Sequence, residues 1–505
     1  MNKFIALVWA CSAGAAMAQS GASAPYTPTW VARHHLQWLV DNTDLELPTT
    51  QWPLPAAAVE QSWQPASELP GAAQARAALR HELNLVREHG RMHLHLRTPT
   101  EGLGGYGENY TPGMSASMVT SELRSGGADG LSLAGRLGAR VEVNANSMQS
   151  QFSGLGTEGK HQLRPEGSAA VLGLGGWNVQ AFTHTFWWGP GWQSNLVNGH
   201  NSPAWMGVGV QRGSVRRSDS PWLSWMGPWN LDVFVAKAQD PLVLPAQPAG
   251  YLFSGARWTI KPQPWLELGF SRGLQTGGAG RPGGVGEFVK AFLGQQTNKD
   301  PDSPFQDSSN QVAGYDVRVR CPKAWGECAG YTQWIGEDSA GKYPPLPYRF
   351  MRLWGAEKTY AQGRYRVFAE YANTFTTGYQ SAGLFPGYTN GVYTQGYTNG
   401  ARWIGSAQGG ASEVTTLGWM DASSMRMVKL HAGRIGLGLG AYEPALNAPH
   451  GRMWGVSAQQ SLRWMGMLIT PELAYTQLAE GVDQQASLRK NLRIGTAIAV
   501  PLWPF

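Results

Sequence analysis

From about Arg91 to the last residue, apolar and polar positions change places with a period of two. Leu131, Leu133, Leu137, Ala139, Val141, Val143 and Ala145 fall on one side of a single extended segment, with Ser132, Arg136, Arg140, Glu142, Asn144 and Asn146 on the other. Such alternation predicts a strand with one apolar and one charged face. It returns at Ala313, Tyr315, Val317 and Val319 against Asp316, Arg318 and Arg320, and Val428, Leu430 and Ala432 are set against Arg426, Lys429 and His431. Between 16 and 19 candidate strands, separated by Gly, Asn, Asp and Pro turns, follow one another to Phe505. Before Arg91 the period is near 3.6 instead. Helices are predicted over about 29–42 and 71–89, the second from Ala72, Ala75, Ala78, Leu79, Leu83 and Val86 at spacings of three and four. Pro48, Pro53, Pro55, Pro65 and Pro70 keep the two from merging.

A soluble sandwich would show the same alternation, but it would need a second set of apolar elements to cover so many half-apolar strands. Transmembrane barrels need none, because lipid covers the apolar face and aromatic girdles mark both interfaces. Composition moves the same way: 23 Trp, 65 Gly and only 15% charged residues, where ordinary soluble domains carry about 25%. Beyond the first few positions there is no apolar run of about 20 residues, so helical membrane spans are excluded. The aromatic content excludes a disordered chain. The expected fold class is therefore an all-β transmembrane barrel. Closure leaves no edge strand to pair, making a monomer the default, and chain ends on one side of the membrane require an even strand number. The terminal Phe505 and Trp503 suit an outer-membrane barrel, although Pro501 and Pro504 interrupt that strand and Leu492, Ile494, Ile498, Val500 and Leu502 make the other parity more apolar.

The start, with Lys3, an apolar core from Phe4 to Ala10 and Ala16-Met17-Ala18, is expected to be a cleaved secretory leader of residues 1–18. Lipidation at Cys11 is the alternative, disfavoured by the bulky Trp9. Residues 19–90 form the helical block, with four Arg against seven acidic residues, net −3, and residues 91–505 form the barrel, net +8. Cys321 and Cys328 flank six residues that include Pro322 and Gly326, and in an exported chain they are expected to staple a hairpin.

One segment is more specific than any alternation: Phe186-Trp187-Trp188-Gly189-Pro190-Gly191-Trp192, then Asn195-Leu196, then Asn198-Gly199-His200-Asn201-Ser202-Pro203-Ala204. It resembles the signature region of the Wzi family, outer-membrane capsule-assembly proteins of Gram-negative bacteria. The order of leader, short helical block and barrel is similar throughout. The resemblance implies 18 antiparallel strands, helices sealing the periplasmic mouth as a plug, and a lectin that holds capsular polysaccharide at the surface. After Gly-Pro-Gly this chain departs from the family's small and aliphatic run, with Gln193, Ser194, Val197 and Asn198, which bears on ligand identity more than on fold.

Residue type supports sugar binding independently, since aromatic faces stack on pyranose rings and Asn, Gln and His hydrogen-bond hydroxyls. Trp187, Trp188, Trp192, Asn195, Asn198, His200 and Asn201 supply both kinds, and the alternative is that the tryptophans anchor the barrel while Gly-Pro-Gly shapes a turn. Tyr388 and Tyr397 head two Tyr-Thr-Asn-Gly units nine residues apart, expected as outward, aromatic-tipped loops that grip glycan or hold themselves. Arg136, Arg140, Arg318, Arg320, Arg364 and Arg366 share the lumen parity; they would attract anionic polysaccharide or lipopolysaccharide phosphate, line an anion-preferring pore, or pair with Glu142, Asp316 and Glu370. His93 and His95 share a face, yet two histidines are a weak metal signal. No Gly-x-Ser-x-Gly elbow, phosphate loop or paired-carboxylate motif occurs, so no enzyme, metal or cofactor is expected. The expected partners are capsular or exopolysaccharide, outer-membrane lipids including lipopolysaccharide, and the barrel-assembly machinery, with no nucleic acid. The alternative function is a pore or export conduit gated by the helices.

Overall fold

The computed structural model describes residues 21–62, 69–98, 103–108, 113–126, 131–143, 161–239, 248–293, 309–339, 347–377, 385–400, 402–436, 450–480 and 487–502. The expected leader, residue Cys11 and the terminal Trp503 to Phe505 lie outside them.

The amino-terminal part is helical. Helix α1 spans Trp30–Asn42, α2 spans Ala56–Gln61 and α3 spans Ala72–Asn84. Thr29 caps α1, its hydroxyl accepting from the Ala32 N–H. The same threonine donates to Glu82 of α3, as does the Tyr26 hydroxyl at 2.9 Å, so one carboxylate ties the two helices together. Helix α3 buries Ala72, Ala75, Leu79 and Leu83, four of the residues whose spacing marks it in the sequence. It begins after Gly71, whose φ of +86° and lack of a Cβ let the backbone pass beside Gln362. The proline-rich stretch between helices runs as short strands: Leu54–Pro55 pairs with Pro25–Tyr26, and Gln51–Trp52 pairs with Trp187–Trp188.

Beyond Gly90 most of the described residues form a large, wholly antiparallel sheet of 23 hydrogen-bonded strands. Neighbours in sequence are mostly neighbours in the sheet, and the last strand, Ser487–Pro501, pairs with the first, Arg91–Arg97. No helix among the described residues is long and apolar enough to cross a membrane. The extended segment expected over 131–146 is divided at Leu137: Leu131–Arg136 pairs with Ala169–Leu174, while Gly138–Val143 pairs with Met114–Val119. The face alternation survives the break, with Leu131, Leu133, Leu137 and Val141 open and Arg140 and Glu142 buried.

The sheet has one bare and one covered face. Val208, Tyr315, Leu417, Leu430, Leu492 and Ile494 lie open on the first. Arg426 shares the parity of Val428 and stands on the bare face at a strand end, whereas Lys429 and His431 are covered; the expectation that all three basic residues oppose the apolar set is corrected by that count of positions. The exposed tryptophans gather on the bare side and at one edge, while others, Trp187, Trp188 and Trp192 among them, are buried inside. Trp265, Trp325 and Trp464 are exposed at or beside tight connections, Trp222 and Trp225 in the longer connection between Arg212 and Trp229 on the same edge, while Trp334 and Trp354 meet edge to face across two strands. Connections alternate in length. At one edge they are as short as Gly175-Gly176 or Trp265 with its neighbour; at the other they run from His184 to Trp205, Thr276 to Ser309 and Thr377 to Glu413. The helices sit at the short-turn edge, where His34 meets the Gly363 carbonyl, and the disulfide-joined turn Cys321–Cys328 presents Glu327 to the Trp38 indole N–H at 2.9 Å.

Candidate functional site

The segment after strand Trp177–His184 does not lean outward. It turns under the covered face and is bonded on three sides. Trp187 and Trp188 form a two-residue ladder with Trp52 and Gln51, the Gly189 N–H donates to the Thr50 carbonyl at 2.9 Å, and Phe186 stacks on Phe234 with ring centres 4.3 Å apart. Arg33 of α1, fully buried, donates to the Pro190 and Gly191 carbonyls at 2.8 Å each. Its guanidinium stands 4.3 Å from the Tyr106 ring centre and 4.2 Å from that of Trp192. Burial pulls its pKa down to about 10, against the raising influence of Tyr106 and Glu357, and the rings replace part of the lost water.

Trp192 is held as firmly. Its indole N–H donates to Glu357 at 2.7 Å, and a second guanidinium, that of Arg366, lies 4.8 Å from the ring centre. The backbone N–H groups of Trp192, Gln193 and Ser194 converge on the Glu370 carboxylate, which also accepts from the Tyr331 hydroxyl at 2.8 Å. Three successive amides around one carboxylate make an anion nest closed from within the chain. Gly191 is required there, because a Cβ would lie 2.2 Å from the Ser194 carbonyl.

The asparagines continue the same construction. Asn195 accepts from the N–H groups of Val197 and Asn198, a local Asx turn. Asn198 accepts from the Trp205 indole at 3.3 Å, His200 accepts from the Gly107 N–H at 3.0 Å through Nδ1, and Asn201 donates to the Trp403 carbonyl at 3.1 Å. His200 is pushed down to about 3 by burial and the Arg33 charge, so it is neutral. Four donors here, Trp188 Nε1, Asn195 Nδ2, Asn198 Nδ2 and His200 Nε2, have no protein acceptor among the described residues.

The two Tyr-Thr-Asn-Gly units fold onto this segment rather than away from it. Tyr388 donates to the Leu196 carbonyl at 2.9 Å and accepts from the Ser406 N–H; burial holds its phenol above the ordinary range. It stacks on Tyr397 with centres 5.5 Å apart, and Ser194 and Ser406 share a 2.6 Å hydrogen bond. Asn390 and Asn399 are spent on backbone amides of Val392, Tyr393 and Gln239. Among the described residues of the loop, Gly391 and Thr394 are the open positions.

Trp187, Trp188, Trp192, Asn195, Asn198, His200, Asn201, Tyr388 and Tyr397 are thus brought together, and all nine are buried. The expectation of outward, aromatic-tipped loops is corrected: the rings are packed on one another and on arginines, because two long connections bury more apolar surface by meeting inside than by standing in water. Arg33, Tyr106, Gln333, Glu357 and Glu370 complete the cluster without any motif to mark them.

Each of the six lumen-parity arginines is engaged. Arg140 pairs with Glu142 at 2.8 Å, Arg318 bridges Asp41 and Glu357, and Arg366 also binds Glu357. Arg364 meets Asp421, Arg320 donates to the Asp41 carbonyl, and Arg136 donates to the Gly167 carbonyl at 2.9 Å. Asp316 is the partner of Arg257 rather than of Arg318, and Glu370 takes backbone amides instead of an arginine. His93 and His95 stack 6.0 Å apart, and no group of three metal-ligating side chains occurs among the described residues.

A large antiparallel sheet with one bare apolar face, tryptophan at its rims and a packed polar interior defines a membrane β-barrel. The family model for the capsule assembly protein Wzi matches residues 98–422, and the chain belongs to that family of outer-membrane proteins. A protein from the cps region of Klebsiella pneumoniae, 55.8 kDa and itself uncharacterised, is 31% identical over 179 residues, covering 35% of this chain and 33% of that one. The match thus spans about a third of that relative's length. The solved structure of Wzi from Escherichia coli, described as an outer-membrane carbohydrate-binding β-barrel involved in group 1 capsule assembly, superposes with a TM-score of 0.72 at 20% identity, covering 95% of this chain and 99% of that one.

Proposed function

We propose that the protein binds capsular or exopolysaccharide and retains it at the cell surface, acting as a lectin and not as an enzyme. Membership of the capsule-assembly family carries this reading, and the description of the Escherichia coli structure as a carbohydrate-binding barrel agrees with it. The site adds a physical reason. Buried amide, indole and imidazole donors without a protein acceptor among the described residues call for a hydroxyl-bearing partner, ordered water at rest or a sugar when the loops part, and Asn195, Asn198 and His200 present three of them within six residues. In this reading Trp187, Trp188, Trp192, Tyr388 and Tyr397 hold the loop framework, and the polymer approaches over the open edge at Gly391 and Thr394.

The barrel is read as 18-stranded and closed. Counting each run interrupted by a bulge once, and setting aside the two-residue strand Phe385–Pro386, leaves 18 strands, and the pairing of the last strand with the first supports closure. Residues 19–90 then form a plug at the short-turn, periplasmic edge, and 91–505 the barrel. A monomer in contact with lipopolysaccharide follows from closure and location, with the barrel-assembly machinery a partner only during biogenesis.

Deleting the gene tests the reading. Polysaccharide should move from the cell-bound to the free fraction while total synthesis continues, and unchanged attachment sinks the proposal. A glycan array with the purified protein identifies the polymer. Loss of signal in the Asn195→Ala/Asn198→Ala variant, with folding intact, links binding to the free donors.

A further inference from the structure

A fourth described helix, α4, spans Val285–Phe292 in the long connection between strands Leu266–Thr276 and Ser309–Arg320. It is fastened to the bare face of the sheet. Arg272 stands on the same parity as the open Phe270, four residues inside the strand's end, and donates to the carbonyls of Phe292 at 2.5 Å and Ala291 at 3.1 Å. Gln311 of the next strand shares the parity of the open Tyr315 and donates to the Ala291 carbonyl at 3.2 Å. The carbonyls that a helix leaves unpaired at its C-terminus are therefore capped by two side chains on the membrane-facing surface. Ala291 is buried, and Phe288 and Phe292 stack 5.9 Å apart.

The other side of α4 is also apolar. Val285, Val289 and Leu293, spaced by four, form one stripe that is 80%, 45% and 37% exposed. The helix's two charges, Glu287 and Lys290, pair with each other at 2.8 Å. A helix with apolar residues on both sides is unsuited to water. The face to which Arg272 and Gln311 fasten the helix also carries the open Phe270, Tyr315 and Leu252, and in an outer-membrane protein that face is turned to lipid.

We infer that α4 lies in the plane of the outer leaflet, with Val285, Val289 and Leu293 set among lipid acyl chains. It belongs to the class of interfacial amphipathic helices, here pinned to the barrel by Arg272 and Gln311. The occupant of the stripe is the acyl layer of the bilayer. The anchor holds the connection after Thr276 against the membrane and away from the opening where the polymer enters. This inference rests on the membrane location and stands whether or not polysaccharide is the ligand.

The test is a spin label at Val289→Cys in the full chain, reconstituted in nanodiscs of phosphatidylglycerol doped with rough lipopolysaccharide. Labels at Val208→Cys on the bare face and Thr394→Cys on the open loop serve as references. The Val289 label should be oxygen-accessible and several-fold less accessible to an aqueous nickel chelate than the Thr394 label, resembling Val208. Nickel access equal to that at Thr394 overturns the inference, and so does protection from both reagents, which would mean that protein covers the stripe. A label at Leu293→Cys in the Val285→Asp/Val289→Asp background, with unchanged strand content by circular dichroism, should become nickel-accessible; an unchanged label there also counts against the anchor.

Discussion

Arg33 joins three parts of the chain through one side chain: it leaves α1, caps the Gly-Pro-Gly turn and stands over Tyr106 and Trp192. Charge-assisted bonds of this kind contribute about 1.5–3 kcal/mol each, so Arg33→Ala should lower the thermal midpoint of the purified protein measurably. Arg33→Lys should recover little of it, because an ammonium lacks the planar fork. Gly191→Ala drives a methyl group into the Ser194 carbonyl and is expected to cost about 1–3 kcal/mol, read as a lower midpoint in thermal denaturation. His200 supplies a pH dependence. Its pKa lies below the unfolded value, so below about 6.5 the unfolded chain binds a proton that the folded chain refuses until about pH 3. Stability from this group is full above pH 6.5 and falls as pH drops toward 3. His35, pushed down to about 4 by burial and the Arg366 charge, acts in the same sense. Melting curves between pH 7 and 4 should be less pH-dependent in His200→Gln than in the native chain; equal slopes refute this.

At the scale of elements, the two long connections behave as one. The segment 185–204 and the loop 385–412 exchange bonds at Leu196 with Tyr388, Gly199 with Ile404, Ser194 with Ser406 and Asn201 with Trp403. Shortening the second should loosen the first, seen as faster hydrogen exchange of the Val197 and Gly199 amides. The disulfide-joined turn works on the opposite edge, where Glu327 receives the Trp38 indole. Closing so short a loop restrains the unfolded chain by roughly 2–3 kcal/mol. The Cys321→Ser/Cys328→Ser variant should therefore melt earlier, with the helical block more open to protease than the sheet. The expected pairing of these cysteines is observed, and helices predicted over about 29–42 and 71–89 are found at Trp30–Asn42 and Ala72–Asn84, the latter continued by a wider turn to His89.

Over the whole molecule, the covered face is packed by the chain's own described segments. The helices, the tryptophan segment and the tyrosine loop occupy the covered face, and the lumen-parity arginines named above all have protein partners. Purified protein in planar bilayers should be silent at moderate voltage, and sustained open conductance would restore the alternative of a pore. The charge imbalance between the helical block and the barrel acts locally, where Asp41 of α1 meets Arg318 of the sheet.

Period-two alternation, the change of period near Arg91 and the tryptophan excess were enough to read the fold class from the chain, because each strand chooses its faces one residue at a time and lipid covers the apolar one. The same local rule explains why α3 could be recognised from Ala72, Ala75, Leu79 and Leu83. The site was legible only as a list of residue types. Whether Trp192 meets a sugar or an arginine depends on Arg33 and Arg366, far from it in sequence and near it only after folding. The same is true of Glu370, whose partners are three backbone amides that no side-chain pattern reveals. The sequence alone determined which surface faces lipid, and the tertiary structure alone decided which aromatic rings remain open.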